Sequence, residues 1–363
     1  MAAIDIDSVW KYYGSVPAVK ELNLHCKDGE FVCILGPSGC GKSSTLRMLA
    51  GLEHISTGTI SFGGERVNDL APRDRDIAMV FENYALYPHK TVFENMANPL
   101  RLRKADADSI KKRVERAAEM LEIQHLLDRK PQELSGGQKQ RTAIGRAIVR
   151  EPKLFLFDEP IAHLDAKLRA HMRGELKLMQ RRLATTMIYV THDQMEAMSM
   201  ADRIAVMHNG VLQQFASPQE VYNNPVNEWV AGFVGEPPMN FMDGELAEQD
   251  GATWLQHKNF RIRLKPEQAA IMGRKQGARD VRMGVRPDQV AISLTPVDGA
   301  VPAEILVTEP LGGDMLVDVA IGDKKIIVKT KPDFAGQMGQ RCFTTLDIGR
   351  WHMFSKENGL AYF

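Results

Sequence analysis

The chain has 363 residues, 44% hydrophobic and 25% charged, the composition of an ordinary globular protein long enough for two or three domains with sizeable cores. Lysine plus arginine equals aspartate plus glutamate at 46 each, a formal net charge of zero, so neither a nucleic-acid glove nor a polybasic membrane anchor is expected. No apolar run approaches the ~20 residues of a membrane helix, and MAAIDIDSVW lacks a charged-then-apolar leader, so no secretion signal is expected.

Residues 1 to about 30 read as strands and hairpins: AIDIDSVWKYY alternates in polarity and KDGE is a turn. FVCIL (31–35) is a continuous apolar run of the kind buried on both faces of a sheet. It runs into GPSGCGKSS, after which SSTLRMLAG reads as a helix stopped by Gly51. GPSGCGKS (36–43) fits the phosphate-loop pattern G-x-x-x-x-G-K-[ST]. In such a loop the glycines let the backbone N–H groups of Gly36, Ser38, Gly39, Cys40 and Gly41 curl around a β-phosphate, with Pro37 part of the same loop but without an N–H of its own, and the helix beginning near Lys42 adds its positive end. Lys42 reaches β- and γ-oxygens, and Ser43, beside Ser44, offers its hydroxyl to Mg2+. Cys26, Cys33, Cys40 and Cys342 show no metal or redox spacing and are expected to be reduced structural thiols.

Ile110, Val114, Ala117 and Leu121 recur at helical spacing between residues 106 and 123, as do Leu168, Met172, Leu176, Met179 and Leu183, and both stripes are expected to pack into a core. Between them lies LSGGQKQR (134–141), with bare amides at Gly136 and Gly137 beside the Ser135 hydroxyl. It reads as a second anion cradle, without a metal ligand of its own, and Ser135 also reads as the N-cap of a helix QKQRTAIGRAI. KLFLF (153–157) delivers Asp158 and Glu159, and MIYV (187–190) delivers His192 and Asp193. Ligands of open α/β sheets bind beyond the carboxyl ends of strands. Three strands are thus expected to bring the phosphate loop, Asp158–Glu159 and His192 to one edge. Asp158 there suits Mg2+, Glu159 suits a base on the attacking water, worth ~10²–10⁴-fold, and His192 suits a γ-phosphate contact.

The character changes at GEPPMNF (235–241), where Pro237 and Pro238 mark a boundary. Beyond it VRMGV, AEILV, MLVDVAI, KIIVKT and CFTTLDI alternate with Gly and Pro turns, an all-β pattern of small barrel type.

In order, GPSGCGKSS, VFENYALYPH, LSGGQKQR, LFLFDEP, HLD and THD resemble the ATP-binding subunit of an ABC transporter. The β-rich part, with MGVRPD at 283–288, resembles the regulatory domain of the carbohydrate importers, maltose and glycerol-3-phosphate importers among them. The resemblance covers essentially the whole chain. It implies an α/β P-loop NTPase (ABC ATPase) domain over 1–235, with a helical subdomain at about 88–152, and a small all-β OB-like regulatory or dimerisation domain over 236–363. It implies ATP and Mg2+ as cofactors, and a homodimer in which Ser135, Gly136, Gly137 and Gln138 of one copy close over ATP held by Lys42 of the other, with Asp165 along the same interface. Tyr13 matches the position that stacks on adenine, although the adjacent Tyr12 leaves the register open.

The same resemblance implies two integral-membrane permease subunits, an external solute-binding protein acting through them, a peripheral place on the cytoplasmic face of the membrane and no nucleic acid. The loop around Tyr87, Pro88 and His89 is the expected permease seat, the alternative being a loop that only packs on the helical subdomain. Two departures stand out. Glu82 replaces the family's Gln, which touches Mg2+ and the attacking water; glutamate still ligates and accepts hydrogen bonds but, when ionised, cannot donate. Ala162 and His163 stand where Ser-Asn is usual before Leu164-Asp165. The alternatives to an importer subunit for sugar-like solutes are an importer of another solute, a soluble ABC protein acting on nucleic acid or in translation, and a pure regulator.

Overall fold

The computed structural model describes residues 2–273, 279–347 and 349–363, and its packing divides the chain into two units, Met1–Gln219 and Glu220–Phe363. In the first unit β1 (Ile4–Tyr13) and β2 (Val16–Cys26) form a hairpin that leads into β3 (Phe31–Leu35). Every residue of β3 is buried, because it lies inside a six-stranded sheet. After β3 come α1 (Lys42–Ala50), β4 (Thr57–Phe62), β5 (Glu65–Arg66) and β6 (Ile77–Val80). The helices α2 (Val92–Leu102), α3 (Ala107–Met120) and α4 (Gly136–Ile148) follow, then β7 (Leu154–Asp158) and α5 (Ala166–Leu183). The unit continues with β8 (Thr186–Thr191), α6 (Gln194–Met200), β9 (Arg203–His208) and β10 (Val211–Ala216).

The large sheet has the order β10-β9-β3-β8-β7-β6, parallel except for the edge strand β10. Its parallel core requires crossovers that cover both faces, which is why FVCIL and LFLF read as unbroken apolar runs. A smaller antiparallel sheet, β2-β1-β4-β5, packs into the same core. That core joins Ile4, Leu22, Ile34, Leu46, Leu156 and Val190 from both sheets and α1. Ile110, Val114 and Ala117 of α3 and Met172, Leu176 and Met179 of α5 are buried, and Leu168 and Leu183 at the ends of the second stripe are half-buried.

In the second unit, antiparallel strands form two five-stranded sheets. Helices α7 (Pro218–Asn223) and α8 (Glu228–Phe233) precede β11 (Asn240–Gln249), β12 (Ala252–His257), β13 (Phe260–Arg263) and α9 (Pro266–Gly273). The remainder is β14 (Asp280–Val285), β15 (Val290–Ser293), β16 (Val301–Pro310), β17 (Met315–Ile321), β18 (Lys324–Thr330), β19 (Arg341–Leu346) and β20 (His352–Ser355). The sheet orders are β13-β12-β11-β14-β20 and β15-β19-β16-β17-β18, sharing a core of Met242, Val281, Val285, Ile305, Val317 and Met353.

The division falls before the boundary expected at 235–236, and the reason is local. Residues 226–228 are tied to the C-terminus by a bridge between Asn227 and Leu360 and by Glu228 N–H to Gly359 O at 2.7 Å. Arg286, from MGVRPD, is 1% exposed and donates to the carbonyls of Tyr222 (2.8 Å), Ala231 (2.9 Å) and Val234. It closes the ends of α7 and α8 against the β-rich part. The tract just before the proline break therefore belongs with the β-rich unit.

Candidate nucleotide site

The carboxyl ends of β3, β7 and β8 lie side by side and release Gly36, Glu159 and His192. At Gly36 a Cβ would stand 2.3 Å from the Met207 carbonyl oxygen and 2.6 Å from Cys40 Sγ. Only glycine fits where the loop leaves β3. Gly41, the N-cap of α1, holds φ +102° and a Cβ there would meet the Ala18 carbonyl at 2.6 Å. α1 has no side-chain cap and no acid in its first turn, so its N–H groups and positive end face the loop uncompensated by side chains. Lys42 is only 5% exposed, and its ammonium donates to Gly36 O at 2.8 Å and Pro37 O at 2.9 Å. A buried cation satisfied by neutral carbonyls of its own loop, over a backbone that excludes Cβ atoms, fits an anion such as a polyphosphate. Cys40 is a packing residue here: it is buried, and burial pushes its thiol up.

Ser43 Oγ donates to Asp158 Oδ1 at 3.2 Å. Burial raises the Asp158 carboxyl above its ordinary range, opposed by the Ser43 hydrogen bond and Arg47 and assisted by the neighbouring charges of Glu159 and Glu82. An added cation would relieve that cost. A hydroxyl and a carboxylate, both hard oxygen donors, fit Mg2+. Glu159 follows with a left-handed backbone, φ 44°, fixed by its N–H to Val190 O at 3.0 Å. Its Oε2 lies 2.8 Å from His192 Nδ1. Acid and imidazole thus come from adjacent strands to one point.

Tyr13 stands beside this loop: its hydroxyl is 3.2 Å from Ser44 Oγ and also donates to Glu53, while Lys11 Nζ sits 4.8 Å from the ring centroid. Tyr12 instead stacks on Trp10, with centroids 5.7 Å apart. Of the two tyrosines, Tyr13 is the one brought to the phosphate loop.

The LSGGQ residues form a separate group. Ser135 caps α4 through a capping box with Gln138: Ser135 N–H donates to Gln138 Oε1 at 2.9 Å, and Gln138 N–H to Ser135 Oγ at 3.4 Å. Gly136 faces Leu164 and the Tyr84 hydroxyl, and a Cβ on Gly137 would lie 2.6 Å from Leu168 Cδ2. No hydrogen bond joins residues 135–138 to residues 36–44 among the described residues. Asp165 caps α5, accepting from Leu168 N–H at 2.9 Å. Glu82 lies on the loop after β6, its Oε1 3.3 Å from His163 Nε2.

Three supports have no motif in the sequence. Arg146 of α4 donates to Ala85 O at 2.5 Å and Tyr84 O at 3.0 Å, holding two consecutive left-handed residues on the Glu82 loop. Buried Asn95 ties the same loop down at Tyr87, Lys90 and Thr91. Arg169 of α5 donates to the carbonyls of Ala162 and Leu164 at 3.1 Å each and to Asp193 Oδ2 at 3.3 Å, linking the His163 loop to the residue after His192. Each is a polar residue on a helix, indistinguishable in the sequence from solvated neighbours.

The ABC transporter family model matches residues 19–162 and the MalK OB fold domain model residues 235–290. The chain is 48% identical to the trehalose/maltose import ATP-binding protein MalK of Thermococcus litoralis over the full length of both. It is 46% identical to the sn-glycerol-3-phosphate import ATP-binding protein UgpC of Yersinia pseudotuberculosis over 99% of each. Among solved structures it is similar to the dimeric post-hydrolysis state of an ATP-binding cassette bound to ADP and Pi, with 32% identity, a TM-score of 0.54, and coverage of 59% of this chain and 98% of that one. The chain belongs to the ABC transporter ATPase family, an ATP-binding P-loop cassette followed by an OB-fold domain of the MalK kind.

Proposed function

We propose that the chain is the ATP-hydrolysing subunit of an ABC importer and energises uptake of a sugar or sugar-like solute through two membrane permeases. The reading is carried by full-length similarity to import ATP-binding proteins whose names specify trehalose/maltose and glycerol-3-phosphate. Because that similarity spans both units, it extends beyond the cassette that permease-free ABC proteins also possess.

In this reading the N–H groups of residues 36 and 38–44 take the phosphates of ATP, and Lys42 exchanges two neutral carbonyls for charged phosphate oxygens, roughly twice as strong as partners. Ser43 and Asp158 would hold Mg2+, with Glu82 nearby. Mg2+ supplies neutralisation of charge on the β- and γ-oxygens. Glu159 accepts a hydrogen bond from the attacking water, and His192 holds the Glu159 carboxylate and faces the γ-phosphate. Tyr13 offers its ring to adenine. Ser135, Gly136, Gly137 and Gln138 close over the nucleotide of a second copy, with Asp165 at the same seam. A symmetric pair completes both half-sites at once.

A groove of about 330 Å3, lined by Phe81, Tyr87, Pro99, Leu102, Arg146 and Arg150, suits a cytoplasmic helix of a permease. Among the described residues no helix is long and apolar enough to cross a membrane, and attachment at the cytoplasmic face through the permeases fits that. A solute-binding protein would bring cargo to the permeases, and the second unit would regulate or hold the dimer. Reconstitution with the two permeases in vesicles tests the reading: solute-loaded binding protein should stimulate ATP hydrolysis and solute entry together. Hydrolysis stimulated by DNA or ribosomes, and indifferent to the permeases, would overturn it.

A further inference from the structure

We propose that His163 is a positioning residue for Glu82, making the loop after β7 and the loop after β6 a single mechanical unit at the nucleotide. The inference rests on the ATPase reading above.

His163 Nε2 and Glu82 Oε1 are 3.3 Å apart, with side chains 59% and 53% exposed. Burial does not force them together; their backbones do. On one side Glu159 N–H is fixed to Val190 O, Arg169 clamps the carbonyls of Ala162 and Leu164, and Asp165 caps α5. On the other, Arg146 holds Tyr84 and Ala85, both at positive φ.

The chemistry explains why such a contact is useful. Glu82 is one of three carboxylates grouped here, and its charge and that of Glu159 both act on Asp158. Glu82 itself has no hydrogen to give when ionised. The two groups stand at contact distance without the alignment of a hydrogen bond; a rotation of either exposed side chain would turn the His163 imidazole N–H onto Glu82, supplying the missing donor, selecting one carboxylate rotamer and leaving the second oxygen as an acceptor. Glu159 has its own imidazole in His192, and Asp158 has Ser43. With His163, each of the three acids has a dedicated partner. An exposed pair of this kind contributes little to folding. Its effect should therefore fall on the site and not on stability.

The test uses the full chain in two arms. In metal-free, nucleotide-free protein labelled with 15N-histidine, Glu82→Ala should move the ring signals of His163; unmoved signals overturn the proposal. In the second arm, His163→Ala should raise the Mg2+ concentration for half-maximal hydrolysis roughly threefold to tenfold, the weight of one hydrogen bond, at an unchanged melting temperature. The same change made in Glu82→Ala should have no further effect, and His163→Gln, which keeps a donor, should restore most of the loss. Equal effects of His163→Ala with and without Glu82 overturn the proposal. A wild-type protein that hydrolyses no ATP would count against the ATPase reading, and the labelled-histidine arm would still decide this one.

Discussion

His192 Nδ1 lies 2.8 Å from Glu159 Oε2, joining the ends of β8 and β7. The pair is not a general stabiliser, since the His192 side chain is 57% exposed; it sets the direction of one carboxylate. Glu159→Gln should therefore lower the turnover number by about 10²–10⁴-fold, the usual weight of a general base, and leave ATP affinity within a fewfold range. His192→Ala should lower turnover in the same direction. Steady-state hydrolysis beside titration with a fluorescent ATP analogue separates the two quantities.

Gly36 and Gly39 differ in a way the loop pattern does not reveal. A Cβ on Gly36 would overlap the Met207 backbone at 2.3 Å, whereas Gly39 has φ +79° and open space around it. Gly36→Ala should cost about 1–3 kcal/mol or more through overpacking and abolish ATP binding. Gly39→Ala should cost only the left-handed strain of about 1–2 kcal/mol. Urea unfolding with a parallel nucleotide titration checks both.

Arg286 is buried, with carbonyl oxygens of Tyr222, Ala231 and Val234 as its acceptors and the Tyr222 ring 4.2 Å away. Removing it orphans those acceptors at about 1–3 kcal/mol each. Arg286→Met should lower the urea midpoint read from tryptophan fluorescence by far more than Arg282→Met, whose partners Glu228 and Asp243 keep access to water.

Glu196, 2% exposed, accepts from Tyr189 OH at 2.9 Å and Thr191 Oγ1 at 2.7 Å. Burial holds its carboxyl above the usual 4.5, outweighing those two hydrogen bonds, which act the other way. The folded protein thus binds this proton more tightly than the unfolded chain, so the group's contribution is full below 4.5 and is lost as pH rises above it. Glu196→Gln cannot ionise. Melting temperatures measured from pH 4.5 to 7.5 should show the variant gaining on the wild type as pH rises.

The parts most legible in the sequence carry charge or glycine at fixed spacing after an apolar run. FVCIL, LFLF and MIYV are central parallel strands, so burial on both faces left them uniformly apolar. Ser135 read as both cap and anion cradle, and the structure shows the cap. Strand β11 escaped because NFMDGELAEQ is half-exposed and interrupted by Gly244, whose missing Cβ makes room for Leu255. Strand β6 is only four residues long, and β9, though as long as β8, ends in no phosphate loop or acid that would mark it. Arg146, Arg169 and Asn95 are invisible for a different reason: their partners are backbone carbonyls of irregular loops, 61 residues away for Arg146 and 7 and 8 residues away for Arg169 and Asn95, and no residue pattern encodes those.

If LSGGQ of one copy completes the phosphate site of another, nucleotide itself should drive two copies together. Analytical ultracentrifugation of Glu159→Gln, with and without saturating ATP and Mg2+, reads that coupling without any partner present. The expected result is a nucleotide-dependent dimer that disappears when Ser135→Arg is added. A protein that stays monomeric under saturating ATP and Mg2+ would contradict a site shared between two copies.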